Sequence, residues 1–504
     1  MFSTRLFFST FAFDLSSAAK FETGRVLKDP VCFVNGAFVT FSSLPAIAVE
    51  DPCTNAVVGE VSNLRKEDAL QVIALTSAAN KLWKDVVPYE RAVVLHKWAA
   101  LIRLHRHSLG SLLARESGKK VVAEGVGECE YPARFVEWYA GEAERVYGDV
   151  WGGPRANVIT TVLKRPVGVV GVITPWNFPS AMVTRAAAGA LAAGCGVVLK
   201  PSELTPLSAL ALAQLAVEAG LPAGLFNVVT GDPEPIGEAM LDSVEVRKIS
   251  FTGSTKVGKY IFARAANTMK RLGLELGGNA PFIVFDDANL DAAVRGLMSA
   301  KFRAAGQACI SSNRTFVHTS IYEAFMVRLL AAVGTIRVGN SFNPSSTMGA
   351  LISGTAVARL EGLVHDAVGR GAKVEIGGRA LKGPGYFFEP TVLSSVDHGT
   401  MRCCQEEIFG PLIPVMKFTD EEEVVHLANS TPTGLAAYVF TEDHRRQKRL
   451  AEQLSFGMVG INDVGLSSPC APFGGIKESG LGRDGSRYGI EAFLDIKYVL
   501  ESRF

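Results

Sequence analysis

Four short segments of this 504-residue chain combine reactive groups with turns that could hold them. Gly306-Gln307-Ala308-Cys309 offers a thiol after a glycine break, and Leu274-Glu275-Leu276-Gly277-Gly278-Asn279 sets a carboxylate between leucines ahead of a glycine pair. A thiolate is a nucleophile able to carry a covalent intermediate. A carboxylate with apolar flanks has its proton affinity raised by desolvation, which suits a general base. Thr174-Pro175-Trp176-Asn177-Phe178-Pro179 falls at the C-terminal end of a predicted strand, where open α/β sheets hold ligands. Glu406-Glu407-Ile408-Phe409-Gly410-Pro411 again puts acid beside an aromatic ring and turn residues.

The elements around these segments alternate. Val167 to Ile173, Gly196 to Lys200, Phe226 to Val229 and Arg247 to Phe251 read as strands, separated by helices over Pro179 to Ala193, Pro206 to Ala219 and Pro235 to Leu241 and followed by one over Thr255 to Ala266. Short apolar strands between helices are the pattern of βαβ crossovers and a doubly wound parallel sheet. A second α/β series starts at Pro281 to Phe285, with a helix near Leu290 to Ala305, then Arg314 to His318 and Tyr322 to Val333, so a boundary falls near Gly277 to Pro281. Before Val167 the chain reads as helical from about Lys66 to Ala140, behind strand-like Val31 to Val39.

Composition excludes several functions. The net charge is +1 with 20% charged and 48% hydrophobic residues, so there is no basic field for nucleic acid or anionic lipid. Eight cysteines, two of them the adjacent Cys403 and Cys404, do not make a disulfide scaffold, and a reducing compartment is expected. The uncharged run Ala186 to Leu199 has fourteen residues and is too short to span a bilayer. The first twenty residues resemble a weak transit peptide, with Arg5 as their only arginine, which leaves a mitochondrial or a cytoplasmic location open.

Several motifs are decoys. Gly480, Gly482 and Gly485 form G-x-G-x-x-G with no clear strand before them and too little chain after them for a βαβ unit. The run from Gly253 to Lys259 nearly makes a P-loop, but Tyr260 stands where a hydroxyl for Mg²⁺ belongs. G-x-S-x-G, H-E-x-x-H and C-x-x-C are absent, and the histidines, His105 and His107 included, do not cluster as metal ligands. No metal site is expected.

At the four segments, and from about Val31 to Tyr498, the sequence resembles the aldehyde dehydrogenase superfamily, most of all its succinate-semialdehyde dehydrogenases. The finer likeness lies in Met182-Val183-Thr184-Arg185, Lys301-Phe302-Arg303, Pro472-Phe473-Gly474-Gly475 and the tail Gly482-Arg483-Asp484-Gly485-Ser486-Arg487-Tyr488-Gly489. The resemblance implies Cys309 as nucleophile, Asn177 with the Cys309 backbone N–H as oxyanion donors, and Glu275 as the base that activates water for thioester hydrolysis. It also implies cofactor contacts at Thr174, Trp176, Lys200, Ser202, Glu203, Phe251, Gly253, Ser254, Glu407 and Phe409. A carboxylate at Glu203 can accept from a ribose 2′-hydroxyl and would repel a 2′-phosphate, so NAD is expected over NADP.

Arg185 and Arg303 match positions that grip the far carboxylate of a semialdehyde, a task suited to the planar guanidinium fork. Ser467, with Ser468 as the register alternative, would add a hydroxyl. The implied reaction is oxidation of succinate semialdehyde to succinate, with glutarate semialdehyde or a broad aliphatic aldehyde range as the alternative. A CoA-acylating enzyme, which has no use for Glu275 as base, and a non-enzymatic relative are the rival classes. Three positions depart from the commoner pattern: Ser311 replaces a second cysteine, Ala308 a threonine and Ala186 a lysine.

The expected architecture is α/β. Residues 21–147 and 167–279 would form the cofactor domain, 280–460 the catalytic domain, 148–166 and 486–504 an oligomerisation element, and 461–485 a return segment lining the substrate site, with 1–20 left as a transit-like or disordered segment. A homodimer or homotetramer follows from the hairpin and tail, through strand-like Val158 to Lys164 and Lys497 to Leu500.

Overall fold

The structure, a computed structural model, describes residues 29–41 and 44–503, so the transit-like segment lies outside the described residues. Five strands, Val169–Ile173, Gly196–Lys200, Phe226–Val228, Val246–Thr252 and Arg271–Glu275, pair in parallel. The first three are buried almost throughout, because helices cover both faces of the sheet. Numbered along the chain, the five lie in the spatial order 3-2-1-4-5. The winding therefore reverses between Val169–Ile173 and Val246–Thr252, and a crevice opens at the carboxyl ends of those two strands.

The edges of this sheet differ from the sequence reading. Val31 to Val39 is not one strand but a hairpin, Cys32–Val34 and Ala37–Val39, because Asn35 and Gly36 at φ 52° and 78° make its two-residue turn. At the far edge Gly480–Leu481 runs antiparallel to the end of Arg271–Glu275. The decoy glycines Gly480, Gly482 and Gly485 all have positive φ and serve this strand and the turns after it.

The chain leaves the first sheet at Glu275 and enters a second at Ala280. The second sheet runs Lys373–Ile376, Thr391–Ser394, Leu412–Phe418, Ser312–His318, Ala280–Val284, Ala436–Phe440, Met458–Ile461, parallel except at its first edge. A third, antiparallel sheet joins Asp149–Gly152, Val158–Pro166 and Leu494–Ser502, the last two in register from Leu494 opposite Pro166 to Ser502 opposite Val158.

The stretch from Lys66 to Ala140 divides into helices Lys66–Trp83, Pro88–Leu104, Arg106–Ser117 and Gly127–Ala143, with a wider π-type turn over Val121–Val126. Ala181–Ala193 is buried at every residue, and its small side chains permit close approach: a Cβ on Gly189 would stand 2.9 Å from the Phe493 ring and 3.1 Å from Tyr139. Gly194, at φ 98°, ends that helix. The helix expected to reach Ala305 stops at Phe302, because Ala304 and Ala305 turn left-handed at φ 51° and 53°. Among the described residues no helix is long and apolar enough to cross a membrane.

Candidate active site

A cavity of about 370 Å³ lies at the strand-order reversal, and a groove of about 570 Å³ continues from it over the ends of the parallel strands. The cavity brings together Asn177, Glu275, Cys309, Glu407 and Phe409 with Arg185, Arg303 and Ser467. The groove holds Thr174, Lys200, Ser202, Glu203 and Phe251, and Trp176, Gly253 and Ser254 line both. Ser468 lines neither; its hydroxyl sits 3.2 Å from the Cys470 sulfur.

Cys309 stands on a strained approach. Ala304, Ala305 and Gly306 are left-handed in succession, at about 1–2 kcal/mol for each residue with a side chain. Surrounding bonds hold that turn: Ala304 N–H donates to Glu124 Oε1 at 2.5 Å, and Gln307 Nε2 donates to the Ala304 carbonyl at 3.0 Å while its Oε1 accepts from Ile352 N–H at 2.9 Å. The two glycine breaks have steric causes. A Cβ on Gly306 would meet the Gly410 oxygen at 2.3 Å, and one on Gly278 would meet the Cys309 carbonyl oxygen at 2.4 Å.

Asn177 Nδ2 donates one hydrogen to the Gln307 carbonyl at 2.9 Å, which ties it to the Cys309 loop and leaves its second N–H for the cavity. Glu275 ends its strand only 5% exposed, with Oε2 lacking any hydrogen-bond partner. Burial raises its carboxyl well above the usual range, and Asp484 adds to the rise while Arg185 and Arg483 oppose it. Burial likewise pushes the partly buried Cys309 thiol up to about 12, with Arg185 pulling it down and Glu407 and Glu275 pushing it further. Burial thus favours the protonated form of both groups in the ligand-free cavity.

Arg185 lines the same cavity from the buried helix, 3% exposed, and its charge acts on both Cys309 and Glu275. Its guanidinium carbon is 3.9 Å from the Phe473 ring centre and its Nε is 3.4 Å from Asp484 Oδ2, yet Nε and Nη2 lack hydrogen-bond partners. Arg303 is exposed and stacks 4.9 Å from the Phe178 ring centre, and the Ser467 hydroxyl bonds the Tyr131 hydroxyl. Sequence reasoning assigned no role to Tyr131, Phe178, Phe473 or Asp484. Phe178, Phe473 and Asp484 fell inside quoted motifs, whereas Tyr131 sits in no motif and meets Ser467 across 336 residues.

The groove fits a nicotinamide dinucleotide. Thr174 Oγ1 is buried without a partner at its floor, and Ser254 caps the helix Thr255–Ala265, its hydroxyl accepting from Val257 N–H at 3.4 Å. The backbone N–H groups of that helix start suit a pyrophosphate. Lys200 Nζ pairs with Glu203 Oε2 at 2.7 Å, so the carboxylate expected to act on a ribose is partly neutralised. At the cavity end Glu407 accepts from Gly278 N–H at 3.0 Å, its carboxyl raised to about 7 by burial, and Trp176 meets Phe409 edge-on at 5.4 Å.

Residues 38–499 match the aldehyde dehydrogenase family. The chain is 47% identical over 466 residues to the mitochondrial succinate-semialdehyde dehydrogenase of Arabidopsis thaliana, covering 92% of this chain and 88% of that one. It is 46% identical over 467 residues to a glutarate-semialdehyde dehydrogenase of Pseudomonas aeruginosa, covering 93% and 96%. A crystal structure described as an E. coli NADP dependent enzyme superimposes with a TM-score of 0.94 at 44% identity, covering 96% of this chain and all of that one. The chain belongs to the aldehyde dehydrogenase family.

The thiol state has a direct readout. Alkylation of Cys309 by iodoacetamide in the ligand-free protein, followed by mass spectrometry of its peptide, should be slow at neutral pH and keep rising past about pH 10. A plateau below about pH 8 would mean that the thiolate is already stabilised and the electrostatic account is wrong.

Proposed function

We propose that this protein oxidises succinate semialdehyde to succinate with a nicotinamide cofactor, NAD in preference to NADP, through a thiohemiacetal and then a thioester on Cys309. The observation that carries this reading is one cavity lined by Cys309, Asn177 and Glu275 together with the buried, incompletely bonded Arg185. A short aldehyde with a distal carboxylate matches both sets of groups. Arg303, Ser467 and Tyr131 line the same cavity.

Glu275 takes the Cys309 proton as the sulfur bonds to the aldehyde carbon. The second Asn177 N–H and the Cys309 backbone N–H donate to the oxygen as it gains charge, each such donor being worth roughly 3–4 kcal/mol in the transition state. The cofactor, when bound, supplies the acceptor for the hydride lost by that carbon; Glu407 and Phe409 would hold its nicotinamide side and Trp176, Lys200, Ser202 and Glu203 its adenosine side. Once it has lost that first proton, Glu275 removes one from water, the water oxygen bonds to the thioester carbon, and the carbon–sulfur bond breaks to free the acid, the departing sulfur taking this second proton back from Glu275. Release of free acid without CoA separates this from the acylating class.

Glutarate semialdehyde is the second reading. A further cavity of about 260 Å³ shares Tyr131, Phe178, Arg303 and Ser467 with the first and leaves room for another methylene. Self-association is proposed through the third sheet, where Trp151, Ile496, Tyr498 and Leu500 are exposed.

In a panel of C2 to C6 aldehydes and semialdehydes, Arg185→Ala and Arg303→Ala should raise KM for succinate semialdehyde by about two orders of magnitude, the scale of a lost charge-paired contact, and leave butanal nearly unaffected. Equal effects on both substrates would remove the carboxylate clamp. The ratio of kcat/KM for NAD over NADP should exceed one and fall about tenfold in Glu203→Gln, a change of about 1.4 kcal/mol; a wild-type preference for NADP refutes the cofactor assignment. Sedimentation equilibrium should find a dimer or tetramer that Ile496→Asp with Tyr498→Asp dissociates, and a wild-type monomer would contradict the role given to that sheet.

A further inference from the structure

Glu275 lines both the main cavity and a second, far smaller one. Its volume, about 10 Å³, is that of roughly one water. Lys248, Ser250, Gly273 and Asp484 complete the polar inner wall, and the exposed Leu481 and Gly482 form the outer one. Lys248 is 2% exposed, its Nζ 5.0 Å from the Phe493 ring centre. The strand register pairs Lys248 with Arg271, Ser250 with Gly273 and Thr252 with Glu275. A Cβ on Gly273 would stand 3.0 Å from Lys248 Nζ. The lysine side chain thus runs two residues along its neighbouring strand in the direction of Glu275, over a gap that a glycine keeps open.

We propose that Lys248 is the outlet for the proton Glu275 takes up in each turnover, reached through one water held in this small cavity. The inference rests on the proposed role of Glu275 as base. When Glu275 must discharge, the main cavity is occupied by the acyl group and the cofactor, so a second exit is needed. The proton passes from the Glu275 carboxyl to the water as the water gives one of its own to the Nζ lone pair; the ammonium then loses a proton to solvent at the Leu481 and Gly482 rim. Carboxylate, water and amine are all restored.

The surrounding charges suit this exchange. Burial lowers the Lys248 ammonium to about 8, with Asp484 pulling it up, Arg271 lowering it and Cys195 raising it. Asp484, Arg185 and Arg483 are the charged groups that act on Glu275. Most of these neighbours have other partners: Arg271 pairs with Asp495 at 2.6 Å, Arg483 donates to the Gly475 carbonyl at 2.9 Å, and Cys195 donates to the Phe493 carbonyl at 3.5 Å. Lys248 is then the group in this wall that exchanges protons near neutral pH.

The test compares first-turnover NADH formation with steady-state turnover on succinate semialdehyde, in wild type, Lys248→Met and Gly273→Ala. Both variants should form first-turnover NADH at close to the wild-type rate while kcat at about pH 7 falls about tenfold, and the rise of kcat between about pH 7 and 9 should disappear in Lys248→Met. Lys248→Arg, which keeps a charge but cannot give up its proton, should behave like Lys248→Met. An unchanged kcat and pH profile in a folded variant overturns the proposal, as does an equal loss of both rates. If one variant fails to fold, the other two carry the same comparison. Absence of first-turnover NADH in the wild type would instead defeat the underlying functional reading.

Discussion

Glu275 Oε2 is buried without a hydrogen-bond partner, and that one desolvated oxygen constrains everything around it. A buried carboxylate left unpaired gives up its charge instead of meeting the cost of keeping it, which is why its proton affinity rises. The surroundings must then deny it a partner while keeping a reacting sulfur in the same cavity. Gly474 helps here, since its backbone passes so near that a Cβ would lie 2.8 Å from Glu275 Oε1. Arg185 and Asp484 balance one another nearby, the first lowering the carboxyl's proton affinity and the second raising it.

Bringing Cys309 into the cavity that Glu275 lines is a matter of joining two sheets. Asn279, in the link between them, accepts from Asn313 Nδ2 at 2.9 Å and Arg314 Nε at 2.8 Å, and donates to the Cys404 carbonyl at 2.9 Å. Asn313 in turn accepts from Ile408 N–H at 2.7 Å and donates to the Glu406 carbonyl at 3.0 Å. Fully buried Arg314 closes the network on the carbonyls of Leu427 and Ala428 at 2.7 and 2.9 Å. Such a network is worth having only when each member is satisfied, and here it fixes the Glu406–Pro411 segment beside the thiol.

Much of the architecture was legible because parallel strands covered on both faces must read as uninterrupted apolar runs, and VVGVI and GVVLK do so. Boundaries were less legible where a local rule competed with periodicity. The Asn35-Gly36 turn hid inside an apolar stretch, and the helix before Cys309 was expected three residues too long because alanines, good helix formers, were forced left-handed by contacts from Glu124 and Gln307. Candidate site positions from four distant segments, and the arginines and serine added to them, all line the cavity or its groove.

By itself the sequence determined which groups are available for chemistry and which turns must carry them, since residue type and nearest-neighbour pattern are local properties. Only the tertiary structure decided which of those groups share a wall. Tyr131 against Ser467, Arg185 against Asp484 and Lys248 along the strand of Glu275 are all pairings between elements, set by sheet order and register. Their electrostatics were out of reach for the same reason: burial, which moves Glu275, Cys309 and Lys248 from their ordinary proton affinities, belongs to the packed molecule and to no single segment.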